Sequence, residues 1–388
     1  MRPRTLGSKV GISLLSLIGC LLVIEISLRI AGYNPVFGEH VGRKGILRYT
    51  PDADYLYDLH PGRMREVQGQ EMAINAAGFR DREYELAKPA GTYRIVALGD
   101  SITFGTRLAL DEIWTEQLEA RLAAVGHDAE VLNFGVDGFD TEDEVAFLVD
   151  KALPYEPDMV VVAYCYNDVA TITPHLAYVE RIQRMSGPLL HSRCFQWCMI
   201  QFERNTRRSR IDALLEEDEL SGERSSIEGD RELLAMMREL TGALAPWDGP
   251  IDEGDPPMRA RTEREIRWYT SRPRLEKLRW SLERLRELSL EHDFEVCVVL
   301  LPILDEGPEE AFRDLWSHAY RMVEHEVDRL GFHRLSTVEA FRAAGIVELR
   351  VVPKDRVHPG AEGHRIIAET IESFLLTRPP LGEGESER

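Results

Sequence analysis

The chain has little cysteine for its length, since its 388 residues include five cysteines. Cys20 lies in an apolar N-terminal run, and Cys165 and Cys297 lie on predicted strands. Cys194 and Cys198 are four residues apart on a predicted helix, a spacing with poor geometry for a disulfide. The cysteines therefore form no disulfide framework of the kind that small secreted domains use.

Metal-binding histidine pairs and an excess of positive charge are also missing. None of the eleven histidines forms an H-x-x-x-H pair, so we predict no metal and no other cofactor. The formal net charge of −20 disfavours direct binding of nucleic acid, because phosphate groups would be repelled. Beyond its apolar N-terminal run, the chain is long enough to bury one large core and has the composition of a folded globular protein.

A serine follows a short apolar run near the start of this core. Arg94 to Leu98 are predicted to form a buried strand, which breaks at Gly99-Asp100-Ser101 and leads to a second glycine, Gly105. In an open α/β sheet, ligands bind at the carboxyl ends of the strands. Ser101 is therefore a candidate nucleophile, although a serine at this point could also serve only as a helix N-cap.

A histidine with a neighbouring carboxylate lies near the C-terminus. Asp355 and His358 precede Pro359, which is expected to open an amphipathic helix. A carboxylate at this spacing can reach the ring nitrogen that faces away from a substrate and fix the tautomer, which makes the histidine a base for a serine. A lone His-Pro at a helix start is more often structural, but together with Ser101 it indicates a hydrolase.

Four motifs resemble, in their order, those of the SGNH/GDSL hydrolase superfamily. They are Gly99-Asp100-Ser101, Asn133-Phe134-Gly135, Asn167-Asp168 and Asp355-x-x-His358. The resemblance covers residues 93–174 and 294–376, and the first three motifs follow predicted strands. It implies an α/β fold, a flavodoxin-like three-layer α/β/α sandwich with a parallel sheet, and a serine hydrolase that cleaves esters.

The resemblance also implies a role for individual residues. Ser101 would be the nucleophile, His358 the general base and then the general acid, and Asp355 the group that orients the histidine. Three donors would stabilise the oxyanion. They would be the Ser101 N–H, the Gly135 N–H and the Asn167 side chain.

The third motif departs from the family pattern, which places a glycine two residues before Asn167. This chain has Cys165 and Tyr166 before the asparagine, which puts the width of the acyl pocket in doubt but keeps the oxyanion donor. Cys165 is disfavoured as an alternative nucleophile, because no histidine is near it in sequence and a cysteine at a strand end is usually a small buried hydrophobe. We interpret Asp100 and Asp168 as carboxylates that shape the loops.

The N-terminal residues predict a membrane anchor. Residues 1–9 are basic, and residues 10–32 form an apolar run long enough to cross a bilayer, with Glu25 and Arg29 as its only charges. No A-x-A site follows, which disfavours a cleaved signal peptide, while Leu17 to Cys20 resembles a lipoprotein cleavage box and leaves that alternative open. The basic N-terminus predicts a single-pass protein of a bacterial cytoplasmic membrane, with its catalytic domain outside.

Alternating strand and helix patterns predict a parallel sheet with helices on both faces. By the resemblance, this is one hydrolase domain over residues 93–376. Thr141 and Glu144 form a predicted capping box, which opens a helix that stops at Pro154. The strands are predicted at Arg94–Leu98, up to Gly135, at Met159–Tyr164, at Phe294–Leu301 and at His333–Val338.

Three further segments are predicted around this domain. Residues 33–92 form a juxtamembrane segment, which ends in Met72 to Arg80, a run similar to one that precedes the first motif in membrane-anchored bacterial members of the superfamily. Residues 175–271 form a helical insertion. It is a solvated decoration, a lid or polymer-binding arm, or a segment whose amphipathic part lies on the membrane. Residues 377–388 are predicted to be a disordered tail.

The motifs and the anchor together predict an ester hydrolase or acyltransferase that acts outside the membrane. Anchored members of the superfamily are commonly linked to adding or removing O-acyl groups on cell-surface polysaccharides, so the resemblance implies an acylated glycan or small-molecule substrate and a membrane acyltransferase as a partner. Two alternatives stay open: a lipid esterase or thioesterase, and a non-catalytic scaffold that binds glycan or a partner protein.

Overall fold

The computed structural model describes residues 6–30, 46–50, 53–55, 57–67, 70–169, 192, 194–195, 227, 229–243, 265–304 and 310–381. The chain divides into two units. The smaller unit comprises Met1–Pro51, Leu56–His60 and Thr173–Glu217. The larger unit comprises Asp52–Tyr55, Pro61–Ile172 and Asp218–Arg388, and it holds all of the predicted site residues.

The smaller unit contains one helix and one hairpin among its described residues. They are α1 Leu6–Ile30 and the antiparallel strands β1 Leu47–Tyr49 and β2 Tyr57–Leu59. Within α1, Arg29 Nε donates to Glu25 Oε1 at 2.6 Å, a pairing that their spacing of four residues allows. The predicted membrane span at 10–32 is not confirmed: in the described parts of the chain, no helix has both the length and the apolar character that crossing a membrane requires.

Five parallel strands form the central sheet of the larger unit. They are β5 Tyr93–Gly99, β6 Ala129–Asn133, β7 Met159–Tyr164, β8 Glu295–Leu300 and β9 His333–Ser336. Their order across the sheet is β6-β5-β7-β8-β9, the flavodoxin-like order that the resemblance implied. The predicted strands agree with these bounds to within two residues. The three middle strands are almost continuously buried and apolar, as expected for a parallel sheet covered on both faces.

Helices and a second hairpin complete the described part of the larger unit. The hairpin strands are β3 Met64–Val67 and β4 Gln70–Ala73. The helices are α2 Ser101–Phe104, α3 Trp114–Ala124, α4 Thr141–Phe147, α5 Arg231–Ala243, α6 Arg272–His292, α7 Glu310–Arg329, α8 Val338–Ala343 and α9 Ala361–Leu375. Two of them, α3 and α9, are joined by an ion pair in which Arg121 Nε lies 2.6 Å from Glu372 Oε2.

The start of α4 differs from the predicted capping box. The N-cap is Asp140, whose carboxylate accepts from the N–H groups of Glu142 and Asp143, and the second member of the box is Asp143. Thr141 is instead the first helical residue, and Glu144 is buried and takes no part in the cap. An ionised aspartate is a stronger acceptor than a threonine hydroxyl at the positive end of a helix, which explains the shift by one residue.

Two predicted helix ends also move. The helix predicted to stop at Pro154 is an α-helix only to Phe147. A π-helical turn follows at Leu148–Ala152, and then a 3₁₀ turn at Leu153–Tyr155. The C-terminal helix begins at Ala361, two residues after the proline expected to open it, with Gly360 as its N-cap. The extra residues keep the loop that carries His358 outside the helix.

Most of the predicted insertion at 175–271 lies outside the described residues, so its role as a lid or arm stays a prediction. Its last residues are described, and there the Tyr269 hydroxyl donates to the Tyr166 carbonyl oxygen at 2.9 Å. At the C-terminus, Leu381 is buried, so ordered structure extends to that residue, four beyond the start of the predicted tail. Residues 382–388 lie outside the described part.

Candidate active site

Ser101 lies where β5 turns into the one-turn helix α2. Asp100 caps this helix, because its Oδ1 accepts from the Ile102 N–H at 2.9 Å. Gly99 permits the tight turn, since a Cβ there would lie 2.1 Å from Thr103 Oγ1. The serine is therefore held at the carboxyl end of a buried strand, as the first motif predicts, with its N–H at the open end of a helix.

Three predicted residues meet in one chain of hydrogen bonds. His358 Nε2 lies 2.8 Å from Ser101 Oγ. His358 Nδ1 lies 3.0 Å from Asp355 Oδ1 and 2.9 Å from Oδ2. With an ionised Asp355, the Nδ1 atom carries the proton and Nε2 is left as the acceptor for the serine hydroxyl. The structure thus brings together side chains that are 257 residues apart in sequence.

The electrostatic surroundings of these hydrogen-bonded side chains favour an ionised carboxylate and a basic imidazole. Burial raises the pKa of Asp355, but hydrogen bonds from His358 and Val357 outweigh it and hold the pKa well below its ordinary value. Burial lowers the pKa of His358, but the hydrogen bond and charge of Asp355, with the charges of Asp100 and Asp137, raise it above its ordinary value overall. The imidazole is therefore a stronger base than a free histidine.

The Gly135 amide, which the resemblance implied as an oxyanion donor, makes a hydrogen bond within its own motif. Its N–H donates to Asn133 Oδ1 at 2.9 Å, so it is already paired. A Cβ on Gly135 would lie 2.3 Å from the Phe104 backbone nitrogen. Glycine is required here because the second motif packs directly on the backbone of α2, which is a structural reason and not a catalytic one.

Gly138, three residues further on, has a backbone amide that is available to donate a hydrogen bond. Its φ of +83° is in the left-handed region, and its N–H has no hydrogen-bond partner among the described residues. The neighbouring Asp137 is close enough to His358 for its charge to raise the pKa of that histidine. Gly138 was not predicted from the sequence, although a second glycine in the same loop was a signal that could have indicated it.

Asn167 is hydrogen-bonded to the residue that precedes the serine. Its Nδ2 donates to Asp100 Oδ2 at 2.9 Å, which leaves the second N–H of the amide group for another acceptor. The side chain is buried, and its Oδ1 has no partner within the described part of the chain. Asp168 shapes this loop, since its Oδ2 accepts from the Cys165 N–H at 2.7 Å.

Cys165 and Tyr166, where the third motif departs from the family pattern, have different surroundings. Cys165 is fully buried, and burial raises the pKa of its thiol well above the ordinary value, so it is not a nucleophile. Tyr166 stacks on Trp268, with ring centroids 6.1 Å apart and planes at 7°. Tyr166 therefore packs against the end of the predicted insertion, while Cys165 occupies the position of the family's glycine.

Arg80 and Asp81 support the loops of the site from the segment that precedes β5. Arg80 is buried and donates to backbone carbonyl oxygens at the end of α2, and Asp81 Oδ2 accepts from the Asn133 N–H at 2.8 Å. The same Asn133 side chain donates from Nδ2 to the Thr103 carbonyl oxygen at 2.8 Å. The run that ends at Arg80 was noted in the sequence, but its role as a brace was not predicted.

Arg107 was missed altogether. Its Nη1 lies 2.5 Å from Asp355 Oδ2, and its φ of +71° is unusual for a residue with a side chain. Arg107 and Asp355 are 248 residues apart, so neither periodicity nor local spacing in the sequence could have indicated that they pair.

One group of side chains in the described residues could offer ligands to a metal ion, namely Asp230, His325 and Glu326. The guanidinium of Arg279 contacts both carboxylates, so a positive charge already lies between them. Hydrogen bonds from Leu233, His325 and Arg279 outweigh burial and hold the pKa of Asp230 below its ordinary value. The group is accounted for as an ion-pair network between helices.

A serine, a histidine and a carboxylate joined by hydrogen bonds at the carboxyl end of a parallel strand are typical of a hydrolase of the α/β class. The chain belongs to the GDSL-like Lipase/Acylhydrolase family, whose model matches residues 97–366. It is accordingly a hydrolase that acts on ester bonds. The match includes all four sequence motifs.

Solved structures similar to this chain have low sequence identity. LAE5, an alpha/beta hydrolase enzyme from the metagenome of Lake Arreo, Spain, is 14% identical, with 72% of this chain and 94% of that chain covered and a TM-score of 0.41. The acetyl xylan esterase AlAXEase is 13% identical, with 73% of this chain and 99% of that chain covered and a TM-score of 0.37. TesA is 14% identical, with 74% of this chain and 99% of that chain covered and a TM-score of 0.39. Likenesses this weak carry no argument about substrate. A comparison with curated proteins finds no match.

Proposed function

We propose that this hydrolase cleaves esters through a Ser101-His358-Asp355 triad. His358 Nε2 takes the Ser101 proton as the hydroxyl attacks the acyl carbon, and then returns it to the leaving alcohol. In the second half of the reaction, His358 takes a proton from the water that attacks the acyl-enzyme and returns a proton to Ser101 as the acid leaves. Asp355 keeps the histidine in the required tautomer and stabilises the imidazolium that forms. The observation that carries the proposal is the 2.8 Å contact between His358 Nε2 and Ser101 Oγ.

The oxyanion is proposed to be bound by the Ser101 N–H, the Gly138 N–H and the Asn167 side chain. The Ser101 amide is at the start of α2, where backbone N–H groups have no partner within the helix. Gly138 replaces Gly135, because the Gly135 amide is paired with Asn133 and the Gly138 amide has no partner among the described residues. Donors held in place before the reaction lower the barrier most, since they need no reorganisation.

Labelling with a fluorophosphonate probe tests the mechanism. The purified protein is expected to bind the probe covalently and to hydrolyse p-nitrophenyl acetate. Ser101→Ala should lose both, while Ser281→Ala, which changes another buried serine on α6, should retain both. Labelling or ester cleavage that survives in Ser101→Ala would contradict the proposal, and a folded wild-type protein without either would favour a binding role.

The proposed substrate is an O-acylated glycan, with hydrolysis or transfer of the acyl group. Its support is the resemblance of the motifs and of the Met72 to Arg80 run to membrane-anchored members of the superfamily. The test compares acetylated oligosaccharides with p-nitrophenyl esters of increasing chain length. Cleavage of long-chain but not of acetyl esters would favour a lipid esterase or thioesterase instead. Transfer to an acceptor glycan in place of water would identify an acyltransferase.

The proposed location is outside a bacterial cytoplasmic membrane, with a membrane acyltransferase as a partner. Its support is the sequence alone, namely the basic residues 1–9 followed by the apolar run 10–32. Protease protection in intact and permeabilised cells tests it. Digestion of the body of the protein from the outside agrees with the proposal, and protection until the membrane is opened contradicts it.

A further inference from the structure

Arg107 contacts the acidic member of the triad. Its side chain is 30% exposed, and that of Asp355 is 11% exposed, so the ion pair is only partly open to solvent. We infer that Arg107 is a positioning residue, which holds the Asp355 carboxylate in the orientation that faces His358 and supplies a positive charge that keeps His358 available as a base. This inference rests on the proposed function.

The two oxygens of Asp355 are held by different parts of the chain. Oδ1 accepts from the N–H groups of Val357 and His358, both at 3.0 Å. Oδ2 accepts from Arg107 Nη1 at 2.5 Å. The backbone N–H groups of the loop thus secure only one oxygen, and a carboxylate anchored to the backbone at one oxygen can rotate about its last bond. Arg107 adds the second point of attachment, so that both oxygens stay within hydrogen-bond distance of His358 Nδ1.

The charge of Arg107 opposes the charges around the histidine. The groups that act electrostatically with His358 are Asp355, Asp100, Asp137 and His364. The three carboxylates favour the protonated imidazole, which cannot accept a proton from Ser101. Buried His364 is neutral and does not offset them, since burial lowers its pKa to about 3. A guanidinium bonded to Asp355 reduces the net negative potential and leaves more of the imidazole neutral near pH 7.

The backbone of Arg107 provides an independent observation. Its φ of +71° is in the left-handed region, where glycine or asparagine is favoured over other residues. Loop geometry alone would select glycine here. A long cationic side chain retained in a disfavoured conformation indicates that the side chain, and not the turn, is what the site requires.

The backbone conformation also makes a clean test possible. Arg107→Gly removes the guanidinium while relieving the backbone, and Arg107→Lys keeps a charge but has fewer donors. Arg121→Ala is the matched control, because Arg121 is 36% exposed and also forms an ion pair, with Glu372. For each variant, the kcat and KM for p-nitrophenyl acetate, the rate of fluorophosphonate labelling and the melting temperature are measured between pH 5 and pH 9.

Arg107→Gly is expected to keep the melting temperature of the wild type and to lose about tenfold in kcat, with KM nearly unchanged. The loss is smaller than the hundredfold that a shift of 1 Å can cost, because the loop still holds Oδ1. The acid limbs of kcat/KM and of the labelling rate should move to higher pH by about 0.5 unit. Arg107→Lys should recover part of both effects, and Arg121→Ala should show neither.

Three results would overturn the inference. Arg107→Gly could retain the rates and pH profile of the wild type, which would show that the catalytic groups do not need Arg107. It could lose activity only in proportion to its folded fraction, which would show that Arg107 has only a structural role. It could instead raise KM at constant kcat, which would assign Arg107 to substrate binding. Failure of the proposed function is separate, because it shows as labelling of the wild type that Ser101→Ala does not abolish.

Discussion

Arg80 Nη1 donates to the Phe104 carbonyl oxygen at 2.9 Å, although 24 residues separate them in sequence. The same guanidinium donates to the carbonyl oxygens of Gly105 and Leu108, both at 2.5 Å. Burial lowers the pKa of Arg80 to about 10, which still leaves it charged at neutral pH. The end of the one-turn helix that begins with Ser101 is therefore held by a charged side chain from the preceding segment.

Replacing Arg80 with alanine should destabilise the fold. Three buried carbonyl oxygens would lose their donor, and we expect the free energy of unfolding to fall by about 3 kcal/mol. Urea unfolding measures this loss. Arg284→Ala is the control, because Arg284 pairs with Glu287 at the surface of α6 and its loss is expected to cost less than about 1 kcal/mol. Equal losses in the two variants would show that Arg80 does not brace the loop.

Replacing Asn167 with alanine should slow catalysis without unfolding the protein. Loss of one oxyanion donor is expected to lower kcat by about 10²–10³ with little change in KM, since the donor acts mainly on the transition state. Steady-state hydrolysis of p-nitrophenyl acetate measures the effect. Asn167→Asp has almost the same shape but no N–H donor, so it should lose as much. A kcat for Asn167→Ala within about threefold of the wild type would exclude Asn167 from the oxyanion hole.

His364 should make the stability of the fold depend on pH. It is fully buried, its Nδ1 accepts from the Trp114 N–H at 3.1 Å, and burial lowers its pKa to about 3. Between that value and the unfolded pKa of about 6.5, only the unfolded chain binds the proton, so stability falls as pH falls. From pH 7 to pH 5 we expect a loss of about 2 kcal/mol from this group.

The free energy of urea unfolding at pH 7 and pH 5 measures this dependence. His364→Gln offers a neutral acceptor and should flatten it, even if the variant is less stable at both pH values. His292→Gln is the control, because His292 is exposed at the end of α6 and should leave the dependence unchanged. A dependence in His364→Gln as steep as that of the wild type would show that other groups cause it.

Most of the fold could be predicted because its signals are local. The runs at Arg94–Leu98 and Met159–Tyr164 are continuously apolar, and in the structure both are buried strands in the middle of the sheet. The strand order followed from the resemblance and is confirmed. Cap positions were less certain: Asp140 and Thr141 are adjacent and both suit an N-cap, so only the backbone conformation distinguishes them.

The sequence by itself determined which side chains could form the reacting chain, because Ser101, Asp355 and His358 each stand in a short motif with a chemical meaning. Only the tertiary structure decided what surrounds them. The contact between His358 and Ser101 and the salt bridge between Arg107 and Asp355 depend on how distant loops meet. Local spacing determines which residues a strand or turn can present, whereas hydrogen-bond partners across more than a hundred residues exist only once the chain is packed.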